Sequence, residues 1–332
     1  MTAKGFMRRL AGRIFYWAQG WEEPKPRPLD LFFGHPRAAF FVDLVKSARW
    51  TELEQAYLAL RTDERHIMLS ALAQDHHSSG TFSDWTAASD SFVAPLFRGT
   101  LLTYLAWDAR GSARGSEVTE EAAEQFVSLL DDAWNHLLAA HQKADDDPEP
   151  IARLLPVAMG LNAPRETLED IFERYKAMQT PHLGAALNMV DAISPKWLGS
   201  TDEMFAVARA YAELRPEHVV AIAHAHVENW CYLHLLREDP SSKSYFTTEA
   251  VQRELRECWQ READLASRRD FFGPATLNTY AFCFLMMQDD ALLTQALELV
   301  GEHATRRPWI YVSEHPHWVL ETARKDLGLK PS

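Results

Sequence analysis

The sequence predicts an all-α fold, an α-solenoid of antiparallel helix pairs preceded by an amphipathic helix. Three observations predict it. Apolar residues recur at helical spacing along nearly the whole chain, as in Phe40, Phe41, Leu44 and Val45, then Leu53, Ala56, Tyr57 and Leu60, then Val127, Leu130, Trp134, Leu137 and Leu138. No series of short β-branched runs separated by hairpin turns occurs. Tyr175 and Tyr211, like His182 and His218, stand 36 residues apart, with Pro181 and Pro216 between each Tyr and its His. A period in the thirties is the length of one helix-turn-helix repeat, whose helices are too short to be stable unless they bury their apolar stripes on neighbours.

Residues 1–36 form the first segment. Lys4, Arg8, Arg9 and Arg13 precede the first acid, Glu22, and Phe6, Leu10, Ile14, Trp17 and Trp21 fall on one face of a helix over residues 4–21. Such a basic amphipathic helix either docks on the body of the protein or lies on an anionic membrane surface. Arg13 and Gln19 interrupt any secretory apolar core. Pro24, Pro26, Pro28 and Pro36 then keep the chain extended.

Residues 37–238 read as the helical-repeat domain, and residues 239–332 as C-terminal helices that continue or cap the array. Breaks fall at Gly111–Ser116, Asp145–Pro150, Gly160–Pro164, Ser194–Ser200 and Asp239–Ser244. Ser200 with Glu203 has capping-box spacing, and Thr180 before Pro181 places a cap beside a proline at the first helical position.

The bulk composition narrows the function. The 332 residues are 47% hydrophobic and carry a formal charge of −13, a balance that repels nucleic acid and favours a basic partner. The three cysteines, Cys231, Cys258 and Cys283, are widely spaced and odd in number, which fits a reducing, cytoplasmic setting better than a disulfide framework or a zinc site.

The most distinctive string is Pro195-Lys196-Trp197-Leu198-Gly199-Ser200, which joins a helix stop, a large aromatic and a helix start. With the Arg49-Trp50-Thr51-Glu52-Leu53 turn, the Gly111–Ser116 break, the Asp147-Pro148 turn and Met204, it gives residues 40–232 their resemblance to an uncharacterised bacterial family of domains of unknown function, similar to tetratricopeptide-like helical repeats. That family usually carries a second glycine where Leu198 stands here. The resemblance implies an α-solenoid fold and carries no known reaction, substrate or catalytic residue.

The expected function is therefore a protein-interaction module that binds a protein or peptide in a concave groove, without catalysis, metal or cofactor. Tyr175, His182, Lys196, Trp197, Tyr211, His218 and His224 are the expected partner-facing residues, because they recur on successive repeats or stand at the most aromatic turn. His224 and Glu228 have the i, i+4 spacing of metal ligands, but His226 points away from them and no His-Glu-x-x-His pattern occurs. Cys231 lies among apolar residues and reads as inert core.

Two alternatives stand beside this reading. Asp131-Asp132 resembles the magnesium motif of class I terpene synthases, although Asn135 takes the place of its usual acid and no second metal motif follows. Such an enzyme requires a deep closed pocket. The other alternative is a membrane-surface scaffold anchored by residues 4–21.

Overall fold

A computed structural model describes residues 28–75, 81–111, 118–178, 182–262, 273–313 and 315–330. Among these residues the chain is helical throughout and has no strand. It divides into two compact units, with the boundary between Glu203 and Met204. The division expected near residue 238 thus falls inside the second unit.

The first unit, residues 34–203, contains α1 (Ala38–Lys46), α2 (Trp50–Leu58), α3 (Thr62–Asp75), α4 (Thr81–Ala88), α5 (Val93–Arg110), α6 (Glu120–Lys143), α7 (Pro148–Gly160), α8 (Arg165–Ala177) and α9 (Leu183–Ala192). Its centre is the α5–α6 pair, with α7 packed on α6 and α9 packed on α7. Lys143 at the end of α6 donates to the Asp90 carbonyl ahead of α5, so this pair is antiparallel. Thr119 caps α6 by accepting from the Ala122 amide.

The apolar periodicity selects most of the core. Phe41, Leu44, Val45, Leu53, Tyr57, Leu130 and Leu137 are buried, whereas Phe40 and Val127 remain on the surface. Those two lie at the edge of their stripes, where a helix turns from its neighbour toward solvent. Around α4, the Trp50 and Trp85 rings stack at 5.0 Å, and Trp85 donates to Glu54 at 2.7 Å.

The turn after α9 follows from the Pro195–Ser200 string. The Trp197 amide donates to Ser194 and the Leu198 amide to Ala192, so the chain folds back on the end of the helix. A β-carbon at Gly199 would lie 2.3 Å from the Ile193 carbonyl oxygen, which only glycine avoids. Ser200 accepts from the Glu203 amide at 3.3 Å, and its hydroxyl donates to the Glu203 carboxylate at 2.9 Å. The expected cap forms, with the carboxylate held by the hydroxyl.

The second unit, described over residues 28–33 and from 204 onward, contains most of α10 (Thr201–Leu214), then α11 (Val220–Cys231), α12 (Glu249–Arg261), α13 (Gly273–Met287), α14 (Asp290–Val300) and α15 (Pro316–Asp326). Its core is aromatic: Phe282 packs against Trp230 and Trp309 at 5.7 and 5.6 Å, and Phe284 against Tyr280 and Trp259. Cys231, Cys258 and Cys283 are buried and form no disulfide among the described residues. Burial pushes the Cys258 thiol up to about 12 and raises the Cys283 thiol well above its usual value, so neither of these two is poised as a nucleophile. No described helix is long and apolar enough to cross a membrane.

Candidate functional site

The densest chemistry lies inside the first unit, where α3, α7 and α9 converge on Glu149. Asp147 caps α7, accepting from the Glu149 amide at 3.0 Å, and Pro148 occupies the first turn, where its missing donor costs nothing. This start aims Glu149 inward, and its side chain is 1% exposed. Arg153, one turn later on the same face, donates from Nε to Oε1 at 2.7 Å.

Two imidazoles complete the cluster. Nδ1 of His66 on α3 lies 2.9 Å from Oε1 of Glu149, and Nε2 of His182 lies 2.7 Å from Oε2. The rings meet edge to face at 4.9 Å. Gly184 makes room for them, because a β-carbon there would stand 2.6 Å from Cε1 of His66.

Neighbouring bonds fix the protons. Nδ1 of His182 accepts from the Ala185 amide at 3.0 Å, capping α9, so the single proton of the neutral ring sits on Nε2 and is donated to Glu149. The two hydrogens on Nη2 of Arg153 are engaged by the His66 carbonyl and the Ser70 hydroxyl, both at 2.8 Å. Nδ1–H of His66 therefore also donates to Glu149, and the carboxylate accepts three hydrogen bonds.

The electrostatics follow. Burial alone would raise the Glu149 carboxyl, but His66, Arg153 and His182 hold it well below the usual carboxylate range. Burial, helped by the Arg153 charge, lowers His66 to about 4, so its ring is neutral at ordinary pH. Arg65 pairs with Asp147 at the edge of the nest. The Tyr57 hydroxyl is buried beside these charges and has no hydrogen-bond partner among the described residues.

His66, Glu149 and His182 present ligand atoms within 4.8 Å of one another, a grouping that could hold a metal ion. The hydrogen-bond pattern does not fit one. A metal needs the lone pair of Nε2 on His182, but that nitrogen carries the proton as long as Nδ1 caps α9. Arg153 already neutralises the carboxylate, and a dication beside it would add a buried, uncompensated charge.

The residues expected to face a partner are placed differently from one another. Tyr175, His182, Tyr211 and His218 are buried and cannot form an open contact face. Each Tyr instead packs on the His seven residues later. The Tyr175 hydroxyl accepts from the His182 amide at 3.1 Å, and the Tyr211 and His218 rings meet at 6.2 Å. Histidine suits the start of α9 because it accepts a backbone hydrogen bond as a cap does; Thr180, the expected cap, lies outside the described residues. His224 is half-buried on α11.

Lys196 and Trp197 remain partly exposed. The Trp197 ring stands edge to face with Trp107 at 5.5 Å, and the Arg110 guanidinium lies 5.8 Å from the centroid of each ring. Trp107 and Arg110 belong to this surface as well, and neither was among the expected contact residues. Their spacing on α5, i and i+3, was visible in the sequence; their meeting with Trp197 was not.

Asp131 and Asp132 are exposed on an open face of α6, with Ala123, Glu124, Val127 and Ser128 of the same helix lining the depression beside them. The enclosed acidic chamber of a terpene-synthase-like enzyme is not formed there. The amphipathic segment 4–21 lies outside the described residues. No protein-family model, curated protein or solved structure matches the chain.

Proposed function

We propose that the chain is a non-catalytic, cytoplasmic interaction module that binds a protein or peptide partner at the surface formed by Trp107, Arg110, Lys196 and Trp197. The supporting observation is the half-buried Trp107–Arg110–Trp197 cluster. Tryptophan and arginine are the residue types that carry most binding energy at protein interfaces, since they join a large apolar area to a polar tip. In this reading the helices of each unit pair in the tetratricopeptide-like manner, as the resemblance of the Pro195–Ser200 string implies.

The partner has two chemical requirements. The net charge of −13 attracts a basic surface at long range. At close range Arg110 and Lys196 favour a carboxylate set beside an apolar side chain that covers the Trp faces.

A random peptide library panned on the full chain, followed by calorimetry, tests the reading. The selected peptide is expected to lose at least about tenfold in affinity on Trp197→Ala or Lys196→Glu and to weaken as salt rises. Affinity unchanged in both variants, or selection without any shared sequence, would overturn it.

A further inference from the structure

We propose that the His66–Glu149–His182 clamp is an acid-operated latch: a second proton on either imidazole releases the first turn of α9 and, through that helix, loosens the turn that carries Trp197. The link to Trp197 rests on the reading of that surface as the partner site; the latch itself does not.

The argument starts from the saturation of both rings. A second proton on His182 has only Nδ1 to occupy, and there the Ala185 N–H already points at 3.0 Å, so two donors would face each other and the cap would be lost. A second proton on His66 goes to Nε2, which packs against Gly184, where a β-carbon would be only 2.8 Å away. Gly184 is the second residue of α9, so both protonations act on the same turn.

The surroundings offer no free counter-charge. Tyr57 faces the nest from α2, Arg65 and His66 from α3, and Tyr104 from α5. Asp147, Glu149 and Arg153 face it from α7 and its cap, and Tyr175 from α8. Asp147 is engaged by Arg65 and Glu149 by Arg153, so an added imidazolium sits beside two guanidinium groups with both carboxylates already paired. Burial holds His66 neutral down to about 4, which keeps the His66 arm of the latch closed near neutrality.

The far end of the helix transmits the change. α9 is ten residues long, and the Trp197 turn is anchored to its end by the carbonyls of Ala192, its last residue, and of Ser194, two residues beyond. One side-chain bond in its middle, from Asn188 to the Ala152 carbonyl at 2.9 Å, ties it to α7 independently of the clamp.

Hydrogen exchange of the full chain, read by mass spectrometry and corrected for intrinsic rates, tests the latch. Between pH 7.5 and 4.5 the amides of α9 are expected to lose protection at least about tenfold and to exchange faster than those of α6, whose protection follows the global stability. The double variant His66→Gln, His182→Asn keeps a side-chain cap but has no imidazole at either place, and should remove the difference. Flat protection of α9, α9 amides as protected as those of α6 at pH 4.5, or an unaltered loss in the double variant would each overturn the proposal. The wild-type series decides even if the variant does not fold. Because exchange needs no partner, a failed partner reading leaves it intact. If α9 loosens while a selected peptide binds equally at both pH values, the link to Trp197 is refuted.

Discussion

Nε2 of His182 lies 2.7 Å from Oε2 of Glu149, and both side chains are almost wholly removed from solvent. The carboxylate is the hub: it holds one imidazole from α3, another from the start of α9 and a guanidinium from its own helix. Glu149→Ala leaves the Arg153 charge buried without its partner. We expect a loss of about 3 kcal/mol or more, read by urea unfolding, with a smaller loss for Glu149→Gln, which preserves volume and part of the hydrogen bonding.

Acid should destabilise the protein through His66. Its folded value, about 4, lies below its ordinary 6.5, so the unfolded chain takes up a proton first as pH falls. Stability is then complete above about 6.5 and declines toward about 4, by on the order of 3 kcal/mol in total. Glu149, held well below its usual range, adds its own loss only at lower pH. Unfolding free energies at several pH values should show the slope in wild type and a shallower one in His66→Gln.

Chelation should change nothing. The cap bond from Ala185 places the His182 proton on the nitrogen that a metal would need. Dialysis against EDTA is expected to leave the thermal midpoint unchanged, and added zinc should not raise it. A midpoint that rises with zinc and falls with chelator in the wild type but not in His182→Asn would refute the proton assignment.

Tyr57→Phe removes a buried hydroxyl that has no partner among the described residues. The ring keeps its contact with Phe97 at 5.2 Å. Thermal unfolding should show a change within about 1 kcal/mol of zero, or a gain. A larger loss would mean that the hydroxyl bonds an ordered water beside Glu149.

Gly199→Ala places a methyl against the Ile193 carbonyl, which is backbone and cannot move aside alone. We expect a loss of roughly 1–3 kcal/mol by urea unfolding. Weaker binding of a selected peptide should accompany it, since the same turn positions Trp197.

Local chemistry was the most legible part of the sequence. The Ser200–Glu203 cap and the Asp147-Pro148 helix start both depend on residues within one turn of each other. The clamp was not legible, because His66 stands 83 residues before Glu149 and no periodicity connects them. One signal was available: Glu149 and Arg153 share a face of a helix whose other residues, Ile151, Ala152, Leu154 and Leu155, are apolar. An acid and a base one turn apart in such a helix are more easily accommodated as an internal pair than on a wet surface. Recurrence at 36 residues points His182 toward a shared groove; as an acceptor for the Ala185 amide it serves as a cap and goes inside.

The distance along the chain between His66 and His182 also bears on how the protein reaches its native state. The clamp closes only after a loop of more than a hundred residues has been drawn together, and a carboxylate holding one imidazole out of two is poorly compensated. Its assembly therefore belongs to the last stage of folding. Arg153, one turn away on the same helix, is the partner of Glu149 that needs no such closure.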